Sequence, residues 1–124
     1  MFGAARLLSD LRALGYEAEL ATGSKGHLFV VIDPFEVPLG RFAGRKIGLG
    51  LQATPDFPRT VASAIHVRST PHLLDHKDSV ANVRNIQPSE LGPPWRYWSK
   101  NFGWSGESTA RRLMSQINQI FKDA

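Results

Sequence analysis

Titratable side chains gather in one stretch of the sequence, residues 72 to 82. His72 and His76 have the H-x-x-x-H spacing that places two imidazoles on one face of a helix, and two aspartates lie beside them. Such a set of side chains could hold a metal ion. Pro71 and the lack of helical periodicity argue against a helix here. We therefore expect a loop, with no metal or other cofactor.

Ser79 adds a hydroxyl to the same stretch, so that Ser79, His76 and Asp78 have the residue types of a hydrolytic triad. Close neighbours in sequence rarely meet in triad geometry, which makes this interpretation weak. The chain contains no cysteine, which excludes disulfides, thiolate metal sites and a cysteine nucleophile. An enzyme that uses an oxygen nucleophile within 72–82 is the least favoured of the functions considered.

A second group of chemically distinctive residues is the tetrapeptide Trp95, Arg96, Tyr97 and Trp98. Tryptophan, tyrosine and arginine carry much of the binding energy at protein interfaces, so the tetrapeptide is a candidate partner-binding segment. The same side chains could stack on single-stranded nucleic acid. They could equally form an apolar plug beneath a loop. The sequence leaves these alternatives open.

Composition predicts one domain, residues 1–124, with a net charge of +4. The basic residues are dispersed, which favours a solvated basic surface over a nucleic-acid footprint. No apolar run is long enough to span a membrane. Charged residues interrupt the first apolar positions, which a signal peptide does not allow, so we expect a cytoplasmic protein.

The elements that position these residues follow an α+β pattern. Apolar residues with helical spacing predict helices over 2–14 and 107–122, the second capped by Ser105. Between them the sequence predicts a four-stranded antiparallel meander and then a long irregular segment over 73–103. The predicted strands lie at about 16–20, 28–32, 46–52 and 61–68, with a loop over 33–44.

The third and fourth strands flank a hinge at 54–58 and alternate apolar with other residues. Val61, Ile65 and Val67 are expected to face the core, while His66 and Arg68 take the opposite face. The glycines at 44, 48 and 50 resemble a phosphate-binding loop only superficially, because neither a lysine-serine pair nor a helix follows them. Open strand faces or a close backbone approach explain them better.

This order of elements resembles the ubiquitin-conjugating (E2) fold. Pro55-Asp56-Phe57-Pro58 is similar to the family's turn after the third strand, and His72 falls where its His-Pro-Asn histidine lies. Trp104-Ser105 resembles the start of the family's tryptophan-serine helix. The resemblance implies a UBC-like fold and a place in ubiquitin-like conjugation. It is closest to the divergent bacterial E2-like proteins, such as the prokaryotic type E group, or to a Cys-less E2 variant.

The departures from the family decide what the resemblance implies about function. The family's cysteine nucleophile would fall at about Val80 to Asn82, and Leu74 replaces the asparagine that helps stabilise the oxyanion. His72, His76, Ser79 and Asn82 would then mark a degenerate active-site region. We expect a non-catalytic pseudoenzyme that binds a ubiquitin-like protein or an E1-like partner in a bacterial pathway. The alternative is a basic nucleic-acid-binding module.

Overall fold

A computed structural model describes residues 1–81 and 83–124 of the chain. It has the predicted α+β class, with a helix near each end and an antiparallel sheet between them. The elements are α1 Gly3–Ala13, β1 Ala18–Thr22, β2 Leu28–Glu36, β3 Lys46–Gln52, β4 Ala64–Arg68, β5 Ile86–Pro88, β6 Trp95–Ser99 and α2 Ala110–Asp123.

The sheet has six strands, not the four that the sequence predicts, in the order β1-β2-β3-β4-β6-β5. The segment predicted to be irregular therefore contains two strands, and β6 pairs antiparallel with both β4 and β5. The physical reason is that aromatic residues favour strands even without apolar-polar alternation, and that β4 needs a partner along its free edge. The sequence of β6 lacks the alternation by which strands are recognised.

Both helices pack on one face of the sheet and form the core there. The apolar stripe predicted for the last helix is confirmed, since all of its members are buried: Ala110, Leu113, Met114, Ile117, Ile120 and Phe121. Leu7 and Leu11 of α1 are buried as well. Ile65 and Val67 of β4 face this core as predicted, and Val61, which lies before the strand and is half-buried, packs against it as well.

Several element boundaries differ from the prediction: β1 and β4 begin two and three residues later than expected, at Ala18 and Ala64. The last helix begins at Ala110, because the Thr109 hydroxyl accepts a hydrogen bond from the Arg112 backbone N–H at 3.1 Å and so caps it in place of Ser105. Strand β2 continues through Pro34, where the sequence predicts a loop. The pairing with β3 shifts register between Ile32 and Phe35, and such a bulge tolerates a proline that cannot donate to the ladder.

Candidate functional site: a cleft on the open face of the sheet

The sheet face opposite the helices, called the open face below, carries a different set of side chains. In the strand register Gly50 lies opposite His66, and His66 lies opposite Tyr97. One step along, Gly48 lies opposite Arg68, and Arg68 opposite Trp95. The prediction that His66 and Arg68 occupy the non-core face is confirmed.

The segment between β5 and β6, residues 89–94, folds back over part of this face and is called the arch. A Cβ atom on Gly50 would lie only 2.7 Å from Leu91 Cδ1, and one on Gly48 only 2.9 Å from Trp95 Cη2. The two glycines therefore allow side chains of the arch and of β6 to approach the backbone of β3 closely. A close backbone approach was one of the two explanations that the sequence favoured over a phosphate-binding loop.

His66 joins the sheet to the start of the arch. Its Nδ1 lies 2.7 Å from the Ser89 hydroxyl oxygen, which also accepts a hydrogen bond from the Leu91 backbone N–H at 3.1 Å. Burial lowers the pKa of His66 from 6.5 to about 4, although the negative charge of Glu90 opposes the shift. The imidazole is thus neutral at pH 7, where Nδ1 and the Ser89 hydroxyl hold each other in place.

Glu90 fixes the arch to the turn between β1 and β2. Its carboxylate accepts a hydrogen bond from the Lys25 backbone N–H at 2.9 Å and lies 2.8 Å from His27 Nδ1, while its carbonyl oxygen accepts from the Ser24 N–H at 3.1 Å. Burial alone would raise the pKa of Glu90, but the hydrogen bonds from His27 and Lys25 and their positive charges outweigh it, so the pKa is lowered. The arch is therefore held at both of its polar residues.

Beside the arch the open face forms a cleft of about 420 Å³. Its floor consists of sheet residues, and its walls come from the β1–β2 turn, the chain before β5 and the arch. The lining residues are Lys25, His27, Gln52, His66, Arg84, Asn85, Gln87, Pro88, Ser89, Glu90, Tyr97 and Ser99. This set is mainly polar, with amide, hydroxyl and imidazole groups that can donate and accept hydrogen bonds.

The charges of the cleft are not balanced. In the described part of the chain, neither the Arg84 guanidinium nor the Lys25 ammonium has a hydrogen-bond or ion-pair partner. Glu90 is the only carboxylate among the lining residues, and its oxygens are already used by His27 and the Lys25 backbone. The cleft therefore has two cations, Arg84 and Lys25, against the single carboxylate of Glu90.

The structure divides the predicted partner-binding tetrapeptide between different surroundings. Trp98 is 0% exposed in the core, with its ring centroid 5.5 Å from that of Phe121, and Trp95 is buried over Gly48. Arg96 and Tyr97 stay partly exposed. The prediction of one surface formed by all four side chains is thus corrected at the two tryptophans, and the alternative of an apolar plug describes Trp98.

Arg96 is tied to the loop that follows β4. Its Nε donates to Asp75 Oδ1 at 2.9 Å, and its Nη1 donates to the Pro93 and Trp95 carbonyl oxygens. The hydrogen bond from Arg96, together with that from the His76 backbone N–H, lowers the pKa of Asp75 well below its usual range. Arg96 therefore holds a loop in place, while Tyr97 faces the cleft.

Of the residues predicted to mark a degenerate active-site region, His72, His76 and Ser79 do not line the cleft. His76 and Ser79 are exposed, His72 is half-buried, and Asn82 lies outside the described residues. These three residues follow the end of β4 at Arg68. The cleft extends past His66 toward the other end of β4, where Ala64 pairs with Ser99. Across the described residues, no group of three or more histidines and acidic residues could hold a metal ion.

Sequence reasoning missed most of the cleft. Lys25, Arg84 and Glu90 stand in predicted turns or irregular segments and have no spacing that would connect them. Two signals were present in the sequence: a histidine on the non-core face of a strand, and glycines at alternate positions of its neighbour. Together they mark a place where another segment approaches the sheet.

No helix in the described residues is long and apolar enough to cross a membrane. No protein-family model, curated protein or solved structure matches the chain. The resemblance to the ubiquitin-conjugating family therefore stays a prediction.

Proposed function

We propose that this chain is a non-catalytic E2-like domain that binds a ubiquitin-like protein, or an E1-like protein of the same conjugation pathway, through the open face of its sheet. The proposal includes a UBC-like fold and a bacterial, cytoplasmic setting. The single observation that carries it is the cleft, because this surface combines a fixed shape with two cations that form no hydrogen bond or ion pair in the described chain.

The E2-like part of the proposal rests on the order of the elements. A helix precedes strands β1 to β4, which are neighbours in chain order, and a final helix follows on the same face as the first. The paired strands β5 and β6 are an addition to the predicted arrangement. They build the arch and one wall of the cleft, so the departure from the predicted pattern coincides with the candidate site.

The non-catalytic part rests on side-chain chemistry. Without a cysteine the chain cannot carry a thioester. Ser89 and His66 are within hydrogen-bonding distance, but a histidine whose pKa is about 4 is a weak general base, and no carboxylate in the described chain hydrogen-bonds the His66 ring to orient it. This pair is better explained as the joint between arch and sheet.

Binding can be tested by calorimetry with a ubiquitin-like protein from the same genome. Gln87→Glu would place a negative charge at the exposed rim of the cleft, opposite in effect to the Arg84 and Lys25 cations, and should weaken binding by roughly tenfold. The matched control is Gln119→Glu on the exposed side of α2, which should bind as the wild type does. Equal binding by both variants, or none by the wild type, would contradict the proposal.

The absence of catalysis has its own test. Incubation with an activating enzyme, ATP and the ubiquitin-like protein should leave no covalent adduct on the chain. An adduct that resists thiols but is cleaved by hydroxylamine would be an oxygen ester. That result would show that a hydroxyl of this protein accepts the activated group, and it would contradict a non-catalytic role.

The alternative nucleic-acid-binding function has less support. Stacking on bases needs exposed aromatic rings, and the Trp98 ring is 0% exposed while that of Trp95 is buried. Tyr97 is the member of the tetrapeptide whose ring lines the cleft. Binding through dispersed charge alone would be weak and would disappear as the salt concentration rises.

A further inference from the structure

We propose that the cleft binds the free carboxylate end of an extended polypeptide, with the Arg84 guanidinium as the anchor for the carboxylate and Lys25 as a second cation. This inference rests on the proposed function and names the part of the partner that the cleft receives. A volume of about 420 Å³ lies within the roughly 300–1,000 Å³ that is usual for ligand clefts, which suits a chain terminus better than a whole folded surface.

The charge of the cleft selects an anion. The Arg84 guanidinium and the Lys25 ammonium form no hydrogen bond or ion pair within the described chain, although the charge of Lys25 acts on Glu90, whose carboxylate is already hydrogen-bonded. Lys100 lies next to Arg84 along an adjoining hollow of about 240 Å³ and adds a further positive charge. A guanidinium group binds a carboxylate through two parallel hydrogen bonds, so Arg84 suits a planar carboxylate.

The walls favour a peptide over a phosphate compound. Gln52, Asn85 and Gln87 present amide groups, each with a donor and an acceptor, and Ser99 adds a hydroxyl. A peptide group also has one donor and one acceptor, so it can pair with both the N–H groups and the oxygens of these amide side chains. A fully ionised phosphate ester only accepts hydrogen bonds, and it would leave the amide oxygens without donors.

The position of the cleft suits an extended chain. Strand β5 is at the edge of the sheet, so a segment lying beside it could pair with its free backbone groups. Pro88 has no N–H to offer, which limits such pairing to the earlier part of the strand, next to Arg84. The C-terminal carboxylate of the bound peptide would then lie at Arg84, and the residues that precede it in the peptide would lie along β5.

The opposite wall is fixed before any ligand arrives. Glu90 holds the β1–β2 turn, and Ser89 holds the arch to His66, so Lys25 is carried on a turn that is anchored through its own backbone. A preformed wall reduces the entropy lost on binding.

The test uses an uncharged, glycine- and serine-rich peptide of about eight residues, with either a free or an amidated C-terminus, titrated into ¹⁵N-labelled protein. We expect the free acid to shift the amide signals of the cleft and to bind roughly tenfold more tightly than the amide. Arg84→Gln should remove most of this preference. Arg111→Gln on α2, an exposed arginine away from the cleft, is the matched control and should retain it.

Several results would overturn the inference. The first is equal affinity for the free-acid and the amidated peptide, and the second is an unchanged preference for the free acid in Arg84→Gln. The third is inorganic phosphate that shifts the same amide signals and binds as tightly as the peptide. A ubiquitin-like protein that binds equally well with its C-terminal residues removed would also overturn it, while leaving the proposed function intact. Conversely, peptide binding without binding of the ubiquitin-like protein would support the carboxylate site and contradict the proposed function.

Discussion

Different physical interactions hold the segments that pack on the two faces of the sheet. On the helix face, apolar side chains of α1, α2 and the strands bury one another, and their contacts depend on volume more than on direction. On the open face, the arch is held by hydrogen bonds of Ser89 and Glu90 and by the close approach that Gly48 and Gly50 allow. The first face accounts for stability, and the second holds polar groups in fixed positions beside a cleft.

Strand β6 contributes side chains to both faces. Its side chains alternate between the two faces, so that Trp98 belongs to the apolar core and Tyr97 to the cleft. One short strand therefore connects the stability of the helix face with the geometry of the open face. Changes that act on one face alone can separate the two contributions.

The largest effect is expected on the helix face. Ile117→Asp would place a carboxylate without a partner at a position that is 0% exposed, and it should lower the free energy of unfolding by about 4 kcal/mol or more. Ser115→Asp, on the exposed side of the same helix, should change it by less than about 0.5 kcal/mol. Urea denaturation followed by circular dichroism measures both. A mild Ile117→Asp would mean that α2 does not pack against the sheet.

Trp98→Ala tests the assignment of β6 to the core. Removing this ring should cost about 3–5 kcal/mol, because its contact with Phe121 and the surrounding apolar groups would be lost and a cavity left behind. Thermal unfolding followed by near-ultraviolet circular dichroism checks this. A Trp98→Ala variant of wild-type stability that loses partner binding would instead restore the exposed recognition surface predicted from the sequence.

His66 should make stability depend on pH. Its pKa is about 4 in the folded protein against 6.5 ordinarily, so between these values the unfolded chain binds a proton that the folded chain does not. Stability should therefore fall as the pH is lowered from 6.5 to 4, by about 3 kcal/mol in total. Urea denaturation as a function of pH measures the slope.

His66→Phe should remove most of this slope, and His76→Gln, an exposed histidine, should leave it unchanged. The carboxylates with lowered pKa values, Asp75 and Glu90, contribute stability that is lost only at lower pH, as each becomes protonated. An equal slope in the wild type and in His66→Phe would contradict the buried, neutral imidazole.

A smaller effect is expected from filling the space above β3. Gly50→Val would push Leu91 away from the sheet and crowd the Cβ of His66, and it should cost about 1–3 kcal/mol. Hydrogen exchange at amides of the arch should become faster than in the wild type, because the arch loses its close contact. Lys46→Val puts the same side chain at an exposed position of β3 and should leave arch exchange unchanged.

The helix face was largely predictable from the sequence. The stripe of α2 repeats with helical period, and Ile65 and Val67 alternate in β4, since burial on one face leaves a regular pattern. The boundaries were less predictable. Ser105 and Thr109 are both good caps, and only tertiary packing decides between them.

The open face could not be predicted because its contacts leave no periodic pattern. Glu90 reaches the backbone of Lys25 across the sheet, and the sequence between them contains nothing that specifies this pairing. The prediction that residues 95–98 form one binding surface was wrong at the two tryptophans for a related reason. Residue types common at interfaces are also common in cores, and the strand pairing of β6 decides which side each one takes.

The most direct test of the account is to map the partner onto the two faces. Titration of ¹⁵N-labelled protein with the unlabelled ubiquitin-like protein should shift the backbone amide signals of cleft residues such as Lys25, Asn85 and Tyr97. Signals on the helix side should stay in place, including those of Leu39, Ser115 and Asn118 around a groove of about 390 Å³. Shifts confined to that groove, with the cleft unaffected, would contradict the claim that the open face is the binding surface.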